Sequence, residues 1–77
     1  MEKIFAPELG EGIEKATVAC WHKAVGDRVS ANDDIVELVT DKAAFNVCAG
    51  IDGVIKKIFI NEGQEARIGD VLALVEP

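Results

Sequence analysis

The sequence is short of what a metal centre, a disulfide scaffold or a membrane anchor would need. Its 77 residues include two cysteines, Cys20 and Cys48, and one histidine, His22. Two cysteines are too few for a disulfide framework, and no second Cys/His pair completes a zinc site. Both cysteines lie in strand-like runs and read as buried thiols. His22 has no recognisable nucleophile to serve, which points away from catalysis by this chain and towards a surface or half-buried strand residue. Asp27, Asp33, Asp34 and Asp70 lack the ligand rhythm of a calcium loop and read as solvated turn residues.

Long apolar runs are absent as well: none approaches the roughly 20 residues of a membrane span. Residues 1–5 have neither the apolar core of a secretory signal nor the arginines of a transit peptide. The expectation is a cytoplasmic protein. Basic residues are outnumbered, eight against fourteen acidic, for a net charge of −6. That balance repels nucleic acid and anionic membrane and suits solubility or a basic protein partner. Helix-period segments with caps are also missing, so the reading is all-β. A chain this short buries only about 60% of its unfolded surface. One small domain without a deep cleft is implied.

What is present centres on residues 35–48, Ile-Val-Glu-Leu-Val-Thr-Asp-Lys-Ala-Ala-Phe-Asn-Val-Cys. Two runs rich in apolar and β-branched residues flank the polar pair Asp41-Lys42, the form of a tight hairpin. With those two residues as the loop, Thr40 faces Ala43, Leu38 faces Phe45 and Val36 faces Val47, giving one apolar side. The other side pairs Val39 with Ala44, Glu37 with Asn46 and Ile35 with Cys48. A slip of one residue would split the apolar set between two faces, so burial holds the register and presents Lys42 at the tip. For an arbitrary hairpin such a lysine is simply a solvated turn residue.

The rest of the chain changes that weighting. Short strands are expected near residues 3–6, 16–23, 29, 54–60, 65–67 and 71–75, separated by glycine and aspartate turns. Pro7 ends the first strand. Residues 8–14 form an exposed, mobile loop made acidic by Glu8, Glu11 and Glu14. Trp21, the single tryptophan, reads as a core residue, and Gly26 is expected at positive φ. A repeat at an offset of 37 sets Val18 against Ile55, Trp21 against Ile58, Gly26 against Gly63, Asp33 against Asp70, Ile35 against Leu72 and Leu38 against Val75. Neither half can bury an apolar face alone. The expected fold is therefore a flattened barrel or sandwich of two sheets around one core, with a pseudo-two-fold axis. The counterpart of Lys42 would be residue 79, so the symmetry puts the lysine turn and the C-terminus at opposite ends.

Taken together, Pro7-Glu-Leu-Gly-Glu-Gly12, Trp21 followed by Val25-Gly-Asp27, Thr40-Asp-Lys-Ala43, Gly53 and Glu62-Gly63 resemble the lipoyl domains of 2-oxo acid dehydrogenase acyltransferases. The resemblance covers nearly the whole chain. It implies that lipoic acid is joined by an amide to Lys42, that Asp41 and Ala43 help present it, and that Glu8, Glu11 and Glu14 help the decarboxylase recognise the domain. It further implies a lipoate ligase or lipoyl transferase as modifying enzyme. The partners after modification are a 2-oxo acid decarboxylase, the acyltransferase core and a dihydrolipoyl dehydrogenase. The domain itself is expected to be a non-catalytic, monomeric carrier spanning residues 1–77, at the N-terminal part of a longer acyltransferase chain. Cys48 and Gly50, where many relatives have proline, and Asn46, where many have an acid, depart from the pattern. Asp-Lys-Ala leans slightly towards a pyruvate-type complex. A biotin carrier domain shares the fold but resembles Met-Lys-Met at the tip, the glycine-cleavage lipoyl carrier is longer with added helical sequence, and an unmodified β-sandwich interaction module is an alternative of another class.

Overall fold

Period-two alternation of apolar and polar residues, broken by glycine and aspartate turns, folds the chain into eight strands and no helix. The computed structural model describes residues 1–77, with β1 Glu2–Phe5, β2 Lys15–Trp21, β3 Arg28–Val29, β4 Asp34–Val39, β5 Ala44–Cys48, β6 Gly53–Ile58, β7 Glu65–Arg67 and β8 Val71–Glu76. They form two four-stranded sheets, in the orders β1-β8-β6-β3 and β5-β4-β2-β7, with all pairs antiparallel. A shift of 37 residues carries β2, β3 and β4 onto β6, β7 and β8. The two sheets are thus copies of one arrangement.

The core repeats the same offset. Val18, Ile35, Val36 and Leu38 from one sheet, and Ile55, Leu72, Ala73 and Val75 from the other, are each no more than 1% exposed. Enclosing a Val, Leu or Ile side chain stabilises a fold by about 1.5–3 kcal/mol, so these paired rows carry most of the apolar stabilisation. Consecutive residues on a regular strand point to opposite faces, yet Ile35-Val36 and Leu72-Ala73 are all buried. The reason is a bulge at each place, between Asp34 and Val36 in β4 and opposite Ile4/Phe5 in β8. A second symmetric pair of bulges falls at Ala19 and Lys56.

The hairpin register agrees with the sequence reading at four pairs, Val39–Ala44, Leu38–Phe45, Glu37–Asn46 and Val36–Val47. It differs at the last. Cys48 pairs with Asp34 rather than Ile35, because the bulge turns Ile35 into the core. Cys48 is consequently exposed and Cys20 half-buried, so neither thiol is the core residue that its strand-like context suggests.

The turns are built by side chains that replace backbone acceptors. Asp27 and Gln64 accept from the N–H groups of Ala24 and Asn61, at 2.8 and 2.7 Å. Asp33 and Asp70 accept from Ser30 and Arg67, both at 2.9 Å. These side-chain-closed turns fall at equivalent positions of the two halves, and they give Asp27, Asp33 and Asp70 a hydrogen-bonding role in the fold. Gly26 and Gly63 follow suit, with φ of 96° and 85°. A Cβ at either would meet nothing, so the need for glycine there comes from the backbone conformation alone.

Trp21 is only half-buried. It packs against the edge of the core, and its indole N–H donates to the Ile60 carbonyl at 2.9 Å. A large ring with a polar edge settles at a margin where both needs are met. Trp21→Ala is expected to cost about 2 kcal/mol, below the roughly 3–5 kcal/mol of a fully enclosed aromatic, and urea unfolding checks it.

Residues 22–27 connect the end of β2 remote from the Lys42 turn to β3, which pairs with β6 where β6 meets Glu76. The end of β8 therefore lies away from the lysine. Glu2 pairs with Val75, so the two chain ends sit side by side there.

Candidate functional site

Lys42 occupies the β4–β5 turn, and Asp41, Lys42 and Ala43 are all exposed. The lysine takes part in neither of the domain's two ion pairs, Lys15–Glu65 and Lys56–Glu76. Its side chain is thus exposed to water and makes no ion pair. The turn lacks glycine, and neither central residue has positive φ. It therefore cannot be the mirror-image turn that normally closes a two-residue hairpin.

The closure comes from Thr40. Its N–H donates to the Ala43 carbonyl at 2.8 Å, completing half of the terminal ladder pair. The return bond goes to the side chain: the Ala43 N–H donates to Thr40 Oγ1 at 3.1 Å, and the Lys42 N–H donates to the same oxygen at 3.2 Å. The hydroxyl in turn donates to the Ala43 carbonyl at 3.2 Å. One donor and two lone pairs are all used. Sequence pattern alone gives Thr40 only a place in the ladder. The available signal was a hydroxyl residue two positions before the lysine, the spacing of a side-chain-closed turn.

Beside the turn lies an open groove of about 750 Å³. Three acids, Glu14, Asp41 and Glu65, and three bases, Lys15, Lys42 and Arg67, line it. Loss of the Lys42 charge by amide formation would leave this balanced set with a net charge of −1. Of the three loop glutamates, all of them exposed, Glu14 reaches the groove, whereas Glu8 and Glu11 do not line it. The loop is not uniformly exposed, since Leu9 is 1% exposed and joins the core. Leu9 pins the acidic segment next to the turn.

The outer face of the β5-β4-β2 strands carries the remaining chemistry-bearing groups. His22 Nε2 is 2.9 Å from Asn46 Oδ1, an exposed contact that leaves the ring without a nucleophile. The Cys48 thiol donates to Asp34 at 3.5 Å, and that bond, with partial desolvation and the carboxylate's charge, raises its pKa above the ordinary value. Cys20 is raised by desolvation first and then by Glu37, whose carboxylate it meets at 3.7 Å. Only the thiolate attacks electrophiles. Alkylation by iodoacetamide at about pH 8 is therefore expected to be slower in the native protein than in urea, and Asp34→Asn to hasten labelling at Cys48. Site-resolved mass spectrometry checks both.

The family described as "Biotin-requiring enzyme", the biotin/lipoyl family, matches residues 2–75. The chain is 40% identical over 75 residues to the dihydrolipoyllysine-residue succinyltransferase component of the 2-oxoglutarate dehydrogenase complex of Staphylococcus saprophyticus. That match covers 97% of this chain and 18% of the relative. It is 33% identical over 76 residues to the lipoamide acyltransferase component of the branched-chain alpha-keto acid dehydrogenase complex of Bacillus subtilis, covering 99% of this chain and 18% of that protein. The chain thus spans under a fifth of these relatives' length. Among solved structures, the lipoyl domain of the Azotobacter vinelandii 2-oxoglutarate dehydrogenase complex superposes with a TM-score of 0.80 at 39% identity, covering 100% of this chain and 98% of that one. The Kluyveromyces lactis urea carboxylase shares the fold, with a TM-score of 0.82 at 24% identity over 97% of this chain and 6% of its own. Sequence, strand order and an exposed hairpin lysine agree: the chain belongs to the biotin/lipoyl family of carrier domains.

Proposed function

We propose that this domain carries lipoic acid on Lys42 and works within a 2-oxo acid dehydrogenase complex as part of a longer acyltransferase chain. The observation that carries the reading is the side chain of Lys42, exposed and free of any ion pair at the tip of the hydrogen-bonded β4–β5 hairpin. Identities of 33–40% to acyltransferase components support lipoate over biotin, as does Asp-Lys-Ala at the tip.

Attachment is performed by a lipoate ligase or lipoyl transferase, because an ammonium has no lone pair with which to attack and the acyl group must arrive activated. The modifying enzyme removes the proton. The Lys42 nitrogen then attacks the acyl carbon of an activated lipoyl-adenylate; the amide bond forms as the acyl–phosphate bond breaks, and AMP leaves. Once attached, the lipoyl group supplies a dithiolane that carries acyl groups and reducing equivalents. The chain's own residues supply position: β4 and β5 hold the tip, and Asp41 and Ala43 flank the lysine. Glu8, Glu11 and Glu14 offer the decarboxylase an acidic surface. The acyltransferase core and a dihydrolipoyl dehydrogenase complete the cycle. Tethering raises the effective concentration of each encounter, so weak contacts suffice. The location is cytoplasmic in this reading.

Intact mass after co-expression with a lipoate ligase, and separately with a biotin ligase, tests the proposal. A gain of one lipoyl group mapped to Lys42 is expected; biotin, or no addition, overturns it. The oxo acid is assigned by offering the modified domain to decarboxylases of each class. The Asp-Lys-Ala turn favours the pyruvate type, and the similarity to succinyltransferase and lipoamide acyltransferase components favours the 2-oxoglutarate and branched-chain types.

A further inference from the structure

We infer that Thr40 is a positioning residue for the modification of Lys42, an inference that rests on the carrier reading. Two-residue hairpins are closed most easily by residues at positive φ, usually Asn-Gly or Gly-X, whose twist matches that of the strands. Asp41 and Lys42 are not of that type, and neither adopts positive φ. A glycine beside the lysine would close the turn, but it would also add backbone freedom where the attachment point must be fixed.

The Thr40 hydroxyl resolves this conflict. Through Oγ1 it accepts the N–H of Lys42 and the N–H of Ala43, and it donates to the Ala43 carbonyl. The Lys42 N–H is thus anchored directly, which sets the direction in which the Cα–Cβ bond leaves the turn. Thr40 itself is half-buried and continuous with β4, where Val39 pairs with Ala44 and Leu38 with Phe45. The hydroxyl therefore transmits the order of the core to an exposed amine. A ligase that must place one nitrogen against an acyl carbon gains from such fixing, because misorientation at the reacting atoms is costly in rate.

The test compares wild type, Thr40→Val, Thr40→Ser and Thr40→Ala as substrates for lipoate ligase with lipoate and ATP. Initial rates are read by intact mass, and melting temperature is measured on the same preparations. Thr40→Val keeps the shape and β-branching but removes all three bonds. Its kcat/KM as a substrate is expected to fall about tenfold, in line with the loss of more than one bond to a backbone group. Thr40→Ser is expected to restore most of the rate, and Thr40→Val to melt only a few degrees below wild type, so that the protein assayed is fully folded. Wild-type rates for Thr40→Val overturn the inference while leaving Lys42 as the attachment site. So does an equal loss in Thr40→Val and Thr40→Ser, since the hydroxyl would then be irrelevant. Should Thr40→Val fail to fold, the same comparison is decided by Thr40→Ala against Thr40→Ser. No modification of wild type would sink the carrier reading and this inference with it.

Discussion

Lys42→Arg is expected to abolish lipoylation completely while leaving the fold and its melting curve almost unchanged. Arginine keeps the length and charge, but its guanidinium cannot serve as the acylated primary amine. Exposed positions without partners contribute within about 0.5 kcal/mol to stability, and Lys42 has no ion pair to lose. Intact mass after exposure to the ligase and thermal unfolding of the unmodified protein are the two measurements. A variant that accepts the lipoyl group at another of the domain's lysines would show that the turn does not select the site. A variant that loses its fold would show that the lysine is structural.

The largest effect on stability is expected at Gly53, where the backbone is in an ordinary strand conformation and the constraint is space. A Cβ there would overlap the Glu76 carbonyl oxygen in the neighbouring β8 strand and press on Val75. That neighbour is backbone of a paired strand and cannot swing aside as a side chain would. Gly53→Ala must therefore push β6 and β8 apart or break their ladder, at about 3 kcal/mol or more. A domain of this size has about 4–12 kcal/mol in total. Urea unfolding of the variant should show a midpoint far below that of the parent; an unchanged midpoint would mean that the strands yield freely. The equivalent place in the other half, 37 residues earlier, is Ala16, which is 4% exposed and carries a methyl group, so the strands around it leave the room that those around Gly53 do not. The two halves are not interchangeable, and this is one of the points where they part.

Much of the fold was legible because the sequence states it twice. Val18 and Ile55, Ile35 and Leu72, and Leu38 and Val75 each fill equivalent core places, and a pattern written in duplicate is hard to misread. Four pairs of the lysine hairpin were readable from burial alone. The pair at Cys48 was not, because period-two reasoning assumes a regular strand. The adjacent apolar residues Ile35-Val36 were the available warning, since two neighbours that both need burial require a bulge. Trp21 misled for a different reason: its size argues for the interior, but its N–H needs an acceptor, and the Ile60 carbonyl lies at the margin. At the site, residue type and spacing placed Lys42, Asp41 and Ala43 together. They did not separate Glu14, which lines the groove, from Glu8 and Glu11, because that depends on how Leu9 seats the loop.

The pairing of Glu2 with Val75 has a consequence for any polypeptide that contains this unit. Partners across an antiparallel ladder lie only about 5 Å apart, so a chain that enters and leaves here advances hardly at all along its course. Such a unit hangs from its strand like a bead from a loop of thread. Further copies could be strung in series without altering the reach of a downstream segment, and each would present its working tip outward from the line.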